Sequence, residues 1–313
     1  MFDIINRIAP IILLLAVGKL FQVKGFIGSG TVIDLKKLVV NVALPAVLFA
    51  SFFYMDLQTD YFLFVPIVLA YCIFLFVLGK GLHRLLKVKG EYFPFLITGF
   101  EYGMMGVSLF GAAYGLNQIG KIAIVDLGQE TFIWFIYVAL LIQKRDGETS
   151  PIGLVKMFAT SPVIIGILAG LILNIVGLRE VLTTAPLVSG LLNTIDMIGS
   201  LTIPLILIVV GYGIKIDMRE FIYSARVILI RLGINILAAL LLNHFVVRGL
   251  MGLEIGFQAA LFTLLILPPP FILTLFMKQD LKEELHSVDN TLMLHTLVTI
   301  VVFIIYYALN PVI

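Results

Sequence analysis

The chain has 313 residues and a formal net charge of +2, with 61% hydrophobic and only 13% charged residues. Its mean hydropathy is +1.12. Soluble domains are nearer half apolar and a quarter charged, so this composition has too little polar surface for a water-soluble globule and belongs in a lipid bilayer. One cysteine, Cys72, excludes an intrachain disulfide. No basic stripe with interleaved aromatics points to nucleic acid, and no grouping of metal ligands or cofactor motif is present.

Taken in chain order, apolar segments fall at 8–23, 35–54, 61–82, 92–113, 121–142, 153–177, 190–213, 221–247, 254–276 and 289–309. Most reach the ~20 residues that a membrane-crossing helix needs. The first has no basic leader and no small-residue cleavage site, so it reads as a span rather than a removable signal. Segment 35–54 carries Asn41 and Pro45, and 190–213 carries Pro204; both prolines read as helix kinks. Segment 92–113 contains Gly99-Phe100-Glu101-Tyr102-Gly103-Met104-Met105-Gly106. Three glycines in eight residues weaken a helix, at about 1 kcal/mol each against alanine. The longest polar interruption, Gln143–Ser150, precedes the sixth segment. Segment 254–276 contains Leu267-Pro268-Pro269-Pro270, through which no α-helix continues.

The chain repeats itself once. Pro10, Gly18 and Gly25 match Pro162, Gly170 and Gly177 at an offset of 152. Pro45 matches Pro204 at 159, His83 and Lys87 match His244 and Arg248 at 161, and Tyr137 matches Tyr306 at 169. Offsets that only grow are what two copies of one unit with different loops produce. The expected organisation is a five-helix repeat over 1–143, a linker over 144–152 and a second repeat over 153–313. An odd number of spans per repeat inverts the second copy, a pattern of secondary transporters. Lys and Arg divide 16 to 4 between the two sides, with Arg231 mid-span. The richer side is expected to be cytoplasmic, and both termini outside.

Corresponding broken segments in two repeats point to a transport site. Freed backbone at membrane depth needs a protein or water-filled covering, and a half-helix starting at the midplane offers about half a positive charge to an anion. The residues expected to bind substrate are Glu101, Tyr102, Gly103, Met104 and Gly106, with Leu267, Pro268, Pro269 and Pro270. Ionisable residues within spans are functional candidates: Glu101, Glu130, Asp196, Arg231 and His295, with Asp126 expected nearer the outer surface. Burial disfavours a bare carboxylate, so Glu101 is expected to carry a proton when an anionic substrate is bound. Its bland role is a neutral or paired group closing the broken turn. Arg231 is expected to pair with Glu130, Glu101 or the substrate, and His295 to be a core residue or a proton relay.

On these features, together with Asn41-Val42-Ala43-Leu44-Pro45, the chain resembles the auxin efflux carrier family, whose bacterial members are often described as malate permeases. The resemblance covers essentially the whole chain. In that family spans 4 and 9 cross at the midplane, often with an Asn-Thr-Gly-Asn segment followed by proline. Here Glu101-Tyr102-Gly103-Met104 stands at the asparagine-rich positions and Ser108 at the proline position. The architecture is also similar to that of bile-acid symporters and sodium/proton antiporters. The resemblance implies a scaffold of spans 1, 2, 6 and 7 and a moving domain of spans 3–5 and 8–10. It further implies an elevator motion and a homodimer.

The resulting expectation is an all-α, ten-span secondary transporter of a small organic anion in the cytoplasmic membrane, without cofactor. A proton or a sodium ion is the coupling ion, or transport is uncoupled. A passive channel would show a continuous hydrated path. A membrane enzyme would need a Ser/His/Asp grouping or clustered ligands, which the sequence lacks. A sensor that binds the anion without moving it is the remaining alternative.

Overall fold

The computed structural model describes residues 2–88, 90–147, 150–184, 186–278 and 280–311, and every regular element among them is helical. α1 (Phe2–Lys24) is followed by α2 (Ser29–Leu38), which passes through a π-turn at Val39–Ala43 into α3 (Leu44–Tyr54). α4 (Phe64–Leu86) precedes a discontinuous segment. That segment consists of α5 (Phe93–Ile97), a π-turn at Tyr102–Gly106 and α6 (Val107–Tyr114). α7 (Ile119–Phe132) runs through a third π-turn at Ile133–Tyr137 into α8 (Val138–Asp146).

After the linker come α9 (Pro151–Ala159), α10 (Pro162–Ile175), α11 (Arg179–Thr184), α12 (Pro186–Ser200) and α13 (Thr202–Gly213). α14 (Phe221–Leu242) ends in a π-helical stretch, Asn243–Leu250. α15 (Ile255–Ile266), α16 (Ile272–Phe276) and α17 (Lys282–Leu309) complete the described chain. Among the described residues, eight helical runs are long and apolar enough to cross a bilayer, and nine if α9 and α10 are taken together. The protein is a multi-pass α-helical membrane protein.

Prolines and the residues before them set the interruptions. The segment expected as one helix over 153–177 is instead bent by 62° between α9 and α10. Ser161 precedes Pro162 and is extended, with ψ 123°, because the proline ring crowds a helical residue before it. The same effect stops α15: Leu267, before Pro268, has ψ 152°. Alone, α15 has only 12 residues. Pro45 follows the π-turn at Val39–Ala43, and Pro204 lies at the start of α13, just past the α12 junction. Both therefore sit at helix irregularities, where the missing N–H disturbs the ladder least.

The discontinuous segment is the centre of the molecule. Phe93–Tyr114 is 78% buried, against 22% for Asn6–Lys24 on the periphery. Its irregular backbone is thus covered by protein, as the lack of water in a bilayer demands.

Two long helix pairs form the other part of the packing: α1 lies along α13, and α3 along α10. Gly18 faces the backbone of Ile208 and Tyr212, where a Cβ would come within 2.8 Å of Tyr212 N. Gly170 faces the backbone of Phe49, where a Cβ would come within 3.1 Å of the carbonyl carbon. Small residues of this kind allow backbones to approach closely. Beside them, Gln22 Nε2 donates to Tyr212 O at 2.6 Å, and Asn174 Nδ2 donates to Phe53 O at 3.1 Å. On the α1 and α10 side these contacts are related by the offset of 152, and on the α13 and α3 side by 159.

Candidate functional site

The site is built where the two backbone breaks meet. Glu101 N donates to Pro268 O at 2.8 Å, which ties the first break to the second. The Glu101 side chain then serves both downstream segments. Its Oε2 accepts from Phe271 N at 2.6 Å, and its Oε1 accepts from Met104 N at 3.2 Å. One carboxyl group thus occupies the donors at the start of the 102–114 run and immediately after the triple proline. An acidic side chain at a helix start satisfies orphan N–H groups and opposes the positive end of the dipole.

Arg231 of α14 does the converse on the upstream side. It is fully buried. Its Nη1 donates to Ile97 O at 2.5 Å and to Leu96 O at 3.2 Å, and its Nη2 donates to Leu267 O at 3.1 Å and to Gly99 O. These carbonyls end α5 and α15, where a cation is favourable. The guanidinium also lies 4.9 Å from the Phe100 ring. Arg231 therefore forms no ion pair with Glu101 or Glu130 among the described residues. The sequence expectation of a side-chain counter-charge is replaced by four backbone carbonyls, which need no second buried charge.

α7 supports the break from the side. Gln129 Nε2 donates to Phe100 O at 2.9 Å and to Asp126 Oδ1 at 2.7 Å. Trp134 Nε1 donates to Glu130 Oε2 at 2.9 Å. Tyr137 OH holds Phe95 O at 3.1 Å, and Thr299 Oγ1 holds Ile266 O at 2.8 Å at the end of α15.

A cavity of about 730 Å³ ends on this junction. Glu101, Gly103, Met104, Glu130, Trp134 and Pro270 are among its walls, and Lys36 and Asp289 lie towards the mouth. Lys36 is one of the 16 basic residues that the sequence count assigns to the richer side. A second cavity of about 510 Å³ lies at the other end of α3, beside Tyr54, Arg179 and Asp196. Neither Glu101 nor the triple proline lines it.

The expected residues divide accordingly. Glu101, Tyr102, Gly103, Met104, Pro270 and Glu130 line the larger cavity. Gly106 does not; it packs against Leu267 and Tyr102, where a Cβ would come within 3.0 Å of each side chain. Leu267 and Pro268 act through their carbonyls, and Pro269 is buried behind them. His295 is fully buried away from the cavity wall, and neither ring nitrogen has a protein partner. Asp196 lines the second cavity. Asp126 is buried at 1% exposure beside Gln129.

Sequence reasoning passed over Lys36, Gln129 and Trp134. The spacing of Asp126, Gln129, Glu130 and Trp134, which puts all four on one helix face, was the available signal. Neither protein-family models nor curated proteins give a match to this chain.

Proposed function

We propose that the protein is a secondary transporter that carries a small organic anion together with a proton across the cytoplasmic membrane. The observation that carries the reading is the seat of Glu101. An endogenous carboxylate occupies the backbone donors of Met104 and Phe271 at the end of an open cavity. A substrate carboxylate has the right chemistry for the same donors. It competes with ionised Glu101 and binds once Glu101 is protonated and releases them, because a neutral carboxyl no longer opposes the dipole of the 102–114 run. Proton and anion are then bound together or not at all, which is the condition for symport.

The rest of the reading follows from the packing. Recurrence of the Gly18, Gly170, Gln22 and Asn174 contacts at the sequence offsets supports two inverted five-helix repeats, with α15 and α16 as the two halves of a broken ninth span. The α1–α13 and α3–α10 pairs make a scaffold, and the segments around the junction make the moving domain. Resemblance to the auxin efflux carrier family supports an elevator motion and a homodimer. The cavity on the basic side corresponds to a cytoplasm-facing state with both termini outside.

Uptake of radiolabelled organic anions into proteoliposomes, with and without an imposed pH gradient, tests the assignment. Accumulation above equilibrium under the gradient, abolished by Glu101→Gln, is the expected result. Accumulation indifferent to pH, or flux that only equilibrates, contradicts it.

A further inference from the structure

The buried carboxyl of Asp126 takes no part in the exchange just described, yet it lies directly behind the cavity wall. Asp126 and Glu130 are one turn apart on α7, and their carboxyl groups are within hydrogen-bonding reach of each other. Asp126 Oδ1 is held by Gln129, but Asp126 Oδ2 is buried without a donor. Gln129 Oε1, on the residue that holds Asp126, is likewise buried without a donor. Buried acceptors left unpaired cost about 1–3 kcal/mol each, and in native proteins they mark a missing partner. Two carboxylates in contact cannot both be ionised. A single proton resolves both problems: it removes one charge and gives the unpaired oxygen a hydrogen bond.

Among the described residues no cation forms an ion pair with either carboxyl, and Arg231, which shares Cys72 as a neighbour, is turned onto backbone carbonyls. Cys72 faces the pair from α4, and Glu101 and Tyr102 face it from the broken segment. α15, packed on α7, has no ionisable side chain. Lys36 lies across the cavity on the mouth side. Glu130 is itself on the cavity wall, so a proton can reach the pair from water.

We propose that Asp126 and Glu130 hold one proton between them, forming a second proton site, distinct from Glu101, that is filled from the cavity. The proposal adds to the carrier reading, because a second titrating site changes the number of protons moved per anion. The pair itself can be tested without any substrate.

The experiment is infrared spectroscopy of the full chain in lipid nanodiscs, following the protonated-carboxyl band through a pH titration. A Glu101→Gln background removes the contribution of Glu101. Expected is a band present at neutral pH, lost at alkaline pH and shifted in deuterium oxide. Asp126→Asn and Glu130→Gln each shift the frequency of the band and the pH at which it is lost, because each leaves one buried carboxyl with an uncharged neighbour. Glu130 lies on the cavity wall, so Glu130→Gln provides the test if Asp126→Asn does not fold. Absence of the band, or a band unchanged in frequency and in the pH of its loss in either folded variant, overturns the proposal. Loss of the band on adding sodium at constant pH also overturns it, in favour of a sodium site. A band that behaves as expected in a protein without anion flux supports the proton pair and refutes the carrier reading, so the two can fail separately.

Discussion

Replacing Glu101 by glutamine isolates the role of one charge at the junction. Glutamine keeps one acceptor oxygen, so one of the bonds to Phe271 N and Met104 N survives. The other N–H then faces an amide NH2 and loses its partner. Loss of a charge-assisted hydrogen bond costs about 1.5–3 kcal/mol, and loss of the charge opposing the dipole of the 102–114 run costs a further ~0.3–1 kcal/mol. The sum, about 2–4 kcal/mol, is a large fraction of a typical folding free energy. Unfolding in detergent at a fixed pH measures it, with the wild type expected to be the more stable protein. The variant should also lose the pH dependence of anion binding. Trp134, the one tryptophan of the chain, lines the cavity and reports binding by fluorescence. The absence of a stability gap, or a pH dependence of anion binding that survives in the variant, would refute the reasoning.

Three further outcomes follow from the packing and the loops. Arg231→Lys keeps the charge but loses the planar fork that reaches four carbonyls; a loss of about 2–4 kcal/mol in unfolding is expected, and an unchanged melting temperature would contradict the capping role. Gly18→Ala and Gly170→Ala each press a methyl against a neighbouring backbone and should cost about 1–3 kcal/mol. Gly30→Ala, with open space around it in α2, should instead gain up to ~1 kcal/mol, so the same assay reads opposite signs. In the loop before α14, the Arg219 N–H and the His286 ring hold the Asp217 carboxyl below the usual carboxylate range. A group with a lowered folded-state value stabilises above its unfolded value and loses that contribution as the pH falls through the lowered one. Asp217→Asn should therefore melt slightly lower than wild type at neutral pH and equal to it in strong acid, by differential scanning fluorimetry.

Much of the architecture was legible because proline and glycine act locally. The triple proline fixed the end of α15 without any tertiary information, and Gly25 and Gly177 mark matching helix ends, with φ of +61° and +76°. The bend at Ser161 was equally local but hidden within a long apolar run, where hydropathy outweighs one residue before a proline. The site was harder to read. Glu101 stood out by lying inside the break, but the partners of its carboxylate are backbone N–H groups, which no side-chain pattern announces. Arg231 is the same case in reverse: an arginine in a span suggests a carboxylate, whereas its carbonyl partners exist only because two helices end beside it. The burial of Asp126 was not legible because it depends on how α7 packs beside α4 and α15, which sequence position does not give.

The most direct test of alternating access is the labelling of Gly103→Cys in a Cys72→Ser background, in oriented proteoliposomes, with a membrane-impermeant maleimide. Gly103 lines the cavity beside Glu101, so the reagent should reach it from the Lys36 side in the absence of substrate. With an organic anion and a proton gradient, labelling from the Arg179 side should appear, and labelling from the first side should fall. Modification from one side only, under every anion, proton and sodium condition, would contradict the transporter account.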